Sequence, residues 1–279
     1  MQLLAQILAL VFVVSTMLGV GLLLSLREIS GSLHDRRWLA RALLANFIML
    51  PALALGIASL LQLEPALTAG LLILATAPGG PVLIRLVAMA KRDPALAVGL
   101  LVTLLITSVV TQPLLLPLLV QHVDISGKSI VLTLLFSVML PLLLGLALRA
   151  RRPVLAESWR APVQKLSTLS MLLVCIVLPA MYWQALLEII GSLAFVAAAL
   201  FLLLASLGGW LLGGPQPGPR RILSLNCMQP NLAVAVVIAN QNFSDPKVVL
   251  MLLVVLVTSI PILLPLCRYY ARHPQPAKI

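Results

Sequence analysis

The chain has 279 residues, 61% of them hydrophobic and 10% charged, with 19 Lys and Arg against 8 Asp and Glu for a formal net charge of +11. Soluble domains carry about a quarter charged residues, so a soluble globular protein is excluded. A mean hydropathy of +1.12 leaves an all-α polytopic membrane protein, and the three cysteines, Cys175, Cys227 and Cys267, odd in number and set in apolar stretches, indicate no disulfide framework.

Apolar runs near the ~20 residues that cross a bilayer predict nine segments, at about 3–26, 39–61, 66–90, 94–120, 129–148, 163–186, 189–213, 222–241 and 246–267. The first lacks the basic start of a secretory signal and is too long for its apolar core, so it reads as a retained helix. In the third, Ala77-Pro78-Gly79-Gly80-Pro81 interrupts the run; in the eighth, Met228-Gln229-Pro230-Asn231 does the same, with Gln229 150 residues after Gly79. The fourth carries Thr103, Thr107, Ser108 and Thr111 along one stripe, a spacing that suits helix packing or bonding to the helix's own carbonyls as well as solute contact. Gly213-Gly214-Pro215-Gln216-Pro217-Gly218-Pro219 is a short connector between apolar helices rather than a domain boundary. A single transmembrane domain spans 1–279.

Basic residues alternate between loops. Arg27, Arg36, Arg37 and Arg41 follow segment one; Arg85, Lys91 and Arg92 close segment three; Arg149, Arg151, Arg152, Arg160 and Lys165 follow five; Arg220 and Arg221 follow seven; Arg268, Arg272 and Lys278 close the chain. Only Lys128 and Lys247 fall on the other side. The positive-inside rule then puts the amino end outside and the carboxyl end in the cytoplasm, with the inner (plasma) membrane of a bacterium as the expected location. This placement of charge needs no nucleic acid to explain it.

Paired helix breaks in corresponding parts of a chain point to a transporter's binding site. Each break frees backbone N–H and C=O groups that cost several kcal/mol in hydrocarbon unless protein, water or solute meets them. The breaks lie five segments apart, so their halves run in opposite directions, which predicts an inverted repeat of four plus five helices with two discontinuous crossing helices.

The residues resemble the bile acid:sodium symporters, a family of organic-anion carriers. The likeness rests on Met17-Leu18-Gly19-Val20-Gly21-Leu22, on Asn46-Phe47-Ile48-Met49-Leu50-Pro51, on Ala69-Gly70-Leu71-Leu72 through Ala77-Pro78-Gly79-Gly80 to Ala90-Lys91-Arg92-Asp93-Pro94-Ala95-Leu96-Ala97-Val98-Gly99-Leu100, and on Met228-Gln229 followed by Leu232-Ala233-Val234-Ala235. It implies a core of helices at about 39–120 and 189–267 that holds the crossing, and a panel at about 3–26 and 129–186 against which the core moves. It also implies a small organic anion as substrate.

The departures concern sodium. Sodium-coupled members of that family place Ser-Asn just beyond the Gly-Gly, where this chain has Leu83 and Ile84, and Ser and Thr on the next helix, where it has Ala97 and Leu101. Their glutamate three residues before the second motif's Met is Leu225, their glutamine five residues before the Pro of segment two is Asn46, and their Asn after the motif's Gln is Pro230. Sodium wants several oxygen ligands, which aliphatic side chains lack. One sodium site reads as dismantled; a second, altered site built from Asn46, Asn226, Gln229 and the carbonyl of Met228 stays open, so Na+ is either a coupled ion or absent. Acids and histidines, His34, His122 and His273 among them, all fall in loops or segment ends, which offers no proton relay inside the membrane.

Candidate substrate contacts are Pro78, Gly79, Gly80, Pro81, Arg85, Asn226, Gln229, Pro230 and Asn231. Arg85 either counters a substrate carboxylate or sulfonate or snorkels to the interface. Asn226, Gln229 and Asn231 either touch solute or satisfy groups freed by Pro230. No His-Glu-x-x-His, Gly-x-Ser-x-Gly or intramembrane aspartate pair suggests an enzyme. The expectation is a secondary carrier of a small organic anion, coupled to an unassigned ion, with a sodium-independent uniporter or exchanger as one alternative and a channel-like pore as another.

Overall fold

The computed structural model describes residues 2–23, 35–91, 94–120, 127–189 and 192–272, and it is helical apart from short turns and the two breaks. In chain order the helices are α1 (Gln2–Leu23), α2 (Arg36–Leu60), α3 (Pro65–Thr76), α4 (Val82–Met89), α5 (Pro94–Leu119), α6 (Gly127–Arg151), α7 (Pro153–Met181), α8 (Trp183–Glu188), α9 (Leu193–Leu212), α10 (Pro217–Cys227), α11 (Leu232–Asn242) and α12 (Pro246–Arg272). Among the described residues, and counting α10 and α11 as one interrupted helix, eight are long and apolar enough to cross a membrane. The remaining predicted segment, the third, is divided into α3 and α4. The histidines His34, His122 and His273, the acids Glu28, Asp93 and Asp124, and the basic residues Arg27, Arg92 and Lys278 lie outside the described residues.

Two helices begin well ahead of the hydropathy reading. The sixth segment, expected at 163–186, begins ten residues earlier at Pro153 and ends at Met181. Its first turns hold Glu157, Ser158 and Arg160, which lower the hydropathy without opposing a helix, and Pro153 at the first helical position costs no backbone bond. The eighth, expected at 222–241, already starts at Pro217 inside the Pro/Gly-rich connector, for the same reason.

Prolines inside α2 and α6 leave a local mark. Each helix widens into one π turn, Ala45–Met49 and Leu135–Met139, just ahead of Leu50-Pro51 and Leu140-Pro141. A mid-helix proline cannot donate to the preceding turn; the N–H groups of Leu50 and Leu140 reach back instead to the carbonyls of Ala45 and Leu135. Asn46 sits on the first of these turns.

The outer surface is apolar, as lipid requires. On α5, Ile106, Val110, Leu114 and Leu118 recur every fourth residue and are 54% to 74% exposed, while Leu101, Leu104, Leu105, Ser108 and Leu116 face inward and are buried. Among helices already surrounded by hydrocarbon, association depends on close packing by small residues. That is how α1 meets α6: a Cβ on Gly21 would lie 2.9 Å from the Gly145 Cα. Helix α1 packs mainly on α6 and α7, whereas α3 packs on α12, α10 on α9, and α2 on both α3 and α9.

Candidate functional site

The site is built where the broken helices meet. Helix α3 ends at Thr76, whose hydroxyl turns back to the Leu72 and Ile73 carbonyls at 2.9 and 3.2 Å. The chain then runs non-helically to Pro81. Here it lies against 228–231, and the two interruptions satisfy each other: the Gly80 N–H donates to the Gln229 carbonyl at 3.2 Å, and the Asn231 N–H donates to the Ala77 carbonyl at 2.7 Å. The Asn231 side chain joins them further, its amide nitrogen 3.4 Å from the Gly79 carbonyl and its oxygen capping α11 by accepting from the Val234 N–H at 3.3 Å. Each break thus supplies the partners that hydrocarbon withholds from the other.

Both glycines are needed, for different reasons. Gly79 has φ +83°, a left-handed conformation that costs other residues ~1–2 kcal/mol, yet a Cβ there would meet only ordinary contacts with Leu101 and Leu105. Gly80 has an ordinary φ, but its Cβ would lie 2.5 Å from the Gln229 oxygen and 2.8 Å from the Pro230 oxygen. The crossing is close enough that only hydrogen fits.

Asn226, one residue from the end of α10, is buried, and its amide donates to Asn46 Oδ1 at 2.9 Å; Asn46 in turn donates to the Ala42 carbonyl at 2.8 Å. Among the described residues, the buried Asn226 Oδ1 has no hydrogen-bond partner. Elsewhere in the interior Leu83, Ala97, Leu101 and Leu225 are fully buried, and Leu101 packs toward Gly79. Four of the positions at which the family resemblance would put ion ligands are therefore buried hydrocarbon, while a fifth, Ile84, is half-buried.

On the side of the basic loops, a cavity of about 440 Å³ opens between α1, α4 and α7. Phe12, Val20, Val82, Ile84 and Met171 give it apolar walls; Ser15, Thr16, Gln164 and Ser167 add hydroxyls and an amide; Arg85, Glu157 and Arg160 bring charge. Pro81 joins the cavity wall, so the first break borders it directly. Arg85 is half-buried and reaches across the cavity, its guanidinium donating to Thr168 Oγ1 at 2.8 Å. Thr16 and Ser167 bridge α1 and α7 at 2.7 Å.

Of the predicted contacts, Pro81 and Arg85 reach this cavity, while Pro78, Gly79 and Gly80 are buried in the crossing behind it. Asn226 and Asn231 are buried and hydrogen-bonded to Asn46 and across the crossing, and Gln229 and Pro230 are half-buried at the crossing, none of the four lining the cavity. Met228 is buried and faces a separate groove with α9 and α12. Thr103, Thr107, Ser108 and Thr111 bond to carbonyls of their own helix at 2.8 to 3.0 Å, the packing alternative. The α7 wall escaped the sequence reading, although Arg160, Gln164, Ser167 and Met171 repeat at three and four residues, the period of one helix face.

These features define a polytopic helical membrane protein with two discontinuous helices crossing beside a cavity. Residues 9–189 match the family described as the sodium bile acid symporter family, and the chain belongs to that family. A relative from Arabidopsis thaliana, named a probable chloroplastic sodium/metabolite cotransporter, is 25% identical over 239 residues, a match covering 83% of this chain and 58% of the relative. The chain thus spans less than two thirds of that relative's length.

Proposed function

We propose that the chain is a secondary carrier of a small organic anion that works by alternating access, with the cavity between α1, α4 and α7 as its substrate site. The observation that carries this reading is Arg85: a half-buried guanidinium in the cavity wall, bordered by Pro81 of the crossing and reaching toward α7. A carboxylate or sulfonate there would take two parallel N–H donors, a strong and directional contact for a planar anion. Pro78, Gly79, Gly80 and the second break then fix the backbone on which α4 and Arg85 stand. The grouping of α1 with α6 and α7 supports their role as a panel against which the remaining helices shift, and the opposed breaks support the four-plus-five repeat. The charge alternation supports the amino end outside, the carboxyl end in the cytoplasm and a bacterial inner membrane as the setting.

Sodium is the less favoured coupling ion. Leu83, Ala97, Leu101 and Leu225 supply no ligands, and the Asn46 oxygen already accepts one hydrogen bond from Asn226. A residual site is the second reading, favoured by the unpaired Asn226 Oδ1 and by the name of the Arabidopsis relative; Gln229 and the Met228 carbonyl would have to complete it. Purified protein in liposomes, offered a panel of radiolabelled organic acids, is expected to take up at least one saturably and faster when the same acid fills the far side. Uptake that never saturates would mean a pore, and no uptake of any acid would overturn the carrier. Thermal unfolding in sodium against potassium at equal ionic strength decides the ion: a ligand that binds only the folded state raises its apparent stability, and the expected result is no sodium-specific shift.

A further inference from the structure

A second concavity, a groove to which α1, α4 and α7 contribute nothing, runs between α9, α10 and α12 on the side of the basic loops. Its α9 wall runs from Leu203 to Trp210 and its α12 wall from Ile262 to Tyr269, about 10 Å on each helix at 1.5 Å per residue. One leaflet of a bilayer holds ~15 Å of hydrocarbon, half of the ~30 Å core, so the groove follows most of that depth. Leu203, Leu207 and Tyr269 on its walls are exposed, which opens it sideways to lipid. The Ser224 hydroxyl on its floor is hydrogen-bonded to those of Ser206 at 2.8 Å and Tyr270 at 3.0 Å, so these polar groups meet one another beneath an apolar slot. Met228, the first residue of the second break, closes its deep end.

The helix stripes that line this groove end in arginine. Arg220 and Arg221 precede Ser224 by four and three residues, and Arg272 follows Tyr269 by three, so each stands one turn beyond the groove on the face that lines it. The Arg220 guanidinium lies over the Trp210 ring at 4.0 Å, and that of Arg221 over Tyr270 at 5.4 Å. A stacked guanidinium keeps its N–H donors in its own plane, directed away from the ring. From residue 193 to the end the chain has one acid, Asp245, just ahead of the opposite end of α12. The rim is therefore positive, and the three helices that build it bring no carboxylate to offset it. The positive-inside rule accounts for arginine in these loops, but not for its alignment with the stripes of one groove.

We infer that the groove binds an anionic phospholipid of the leaflet on the side of the basic loops, its acyl chain between α9 and α12 and its phosphate on the rim of Arg220, Arg221 and Arg272. Basic pockets between transmembrane helices take such headgroups, and Trp210 and Tyr269 stand where amphipathic rings meet the headgroup level. The end of the chain reaches Met228, so the bound lipid packs against the crossing from outside and braces it.

The test titrates phosphatidylglycerol or phosphatidylcholine, with identical acyl chains, into purified protein in neutral detergent and follows thermal unfolding, which a ligand of the folded state delays. Wild type is expected to reach half-maximal stabilisation at an about tenfold lower concentration of phosphatidylglycerol, the effect of one or two arginines near an anionic headgroup. Arg220→Gln with Arg221→Gln should erase that preference, and Arg272→Gln, at an exposed position outside the packed core, should reduce it even if the pair fails to fold. Arg151→Gln with Arg152→Gln removes the same charge from the end of α6 and should leave the preference intact. Leu207→Trp fills the groove from its lipid side and should weaken both lipids alike. Equal stabilisation of wild type by the two lipids, an equal loss in the α6 pair, or full binding by Leu207→Trp overturns the site. Inorganic phosphate that stabilises as well as phosphatidylglycerol would make it an anion site without a lipid, and overturns it too. None of these outcomes touches the carrier reading, which depends on a different cavity.

Discussion

The two breaks look alike in the sequence, each a proline-bearing interruption of an apolar run, and the structure gives them different work. The first faces outward to the cavity: Pro81, Val82, Ile84 and Arg85 follow it in order and all four line the wall. The second faces inward, its amide and carbonyl groups spent on the first and its asparagines on capping and on Asn46. A pair of matching sequence features thus divides into a half that borders the cavity and a half that does not, and polar side chains near a break are poor guides to which is which. Backbone groups freed by proline need partners before any solute does.

The sharpest way to break this contrast is Gly80→Ala. The added methyl has only backbone carbonyls to displace, so the crossing must open, at ~3 kcal/mol or more by comparison with overpacked cores; detergent-purified protein should lose its cooperative unfolding transition. Gly79→Ala should cost only ~1–2 kcal/mol, the left-handed penalty alone, and remain folded. Equal losses would mean that conformation rather than close approach governs the crossing. Next in size is Arg85→Ala, expected to cut saturable uptake by about a hundredfold, as removal of a charged hydrogen-bond partner costs ~3 kcal/mol, with unfolding temperature little changed; Arg85→Lys keeps the charge and should recover part. Wild-type uptake in Arg85→Ala would make it a snorkelling residue after all.

A smaller effect tests the half away from the cavity. Asn46→Leu leaves the buried Asn226 amide without its partner and should cost ~1–3 kcal/mol, whereas changing both asparagines to leucine should recover most of that loss. If the double variant falls further than either single one, the pair holds something besides each other. The smallest is Gln229→Ala: since its carbonyl rather than its side chain holds Gly80, uptake should change less than twofold, as for Asn240→Ala at the far end of α11. A loss comparable to Arg85→Ala would move the second break into the binding site.

Much of the fold was legible. Segment length and loop charge located the helices, and Pro78 with Pro230 located the breaks, because proline and glycine act on the chain locally and need no tertiary context. Residues 157–168 were not legible as a cavity wall. Their first half reads as loop and their second as the start of the sixth apolar segment, and only the partner helices α1 and α4 turn one face of α7 into a surface. The Asn46–Asn226 contact spans 180 residues, and no local pattern records it. The family match ends at residue 189, so it takes in the first break and the whole cavity but stops short of the second break.

The interlocked backbones also set a schedule for making the protein. Pro78 is synthesised 152 residues before Pro230, and at translation rates of about 5–20 residues per second that interval is about 8–30 s. For that time the first break sits in or beside the bilayer with the Gly80 N–H and the Ala77 carbonyl lacking their partners. Until the second break arrives, water or the insertion machinery must meet those groups, so the completed bundle cannot close ahead of its penultimate crossing. A fault in that last third of the chain would therefore be felt first at a site translated near its beginning.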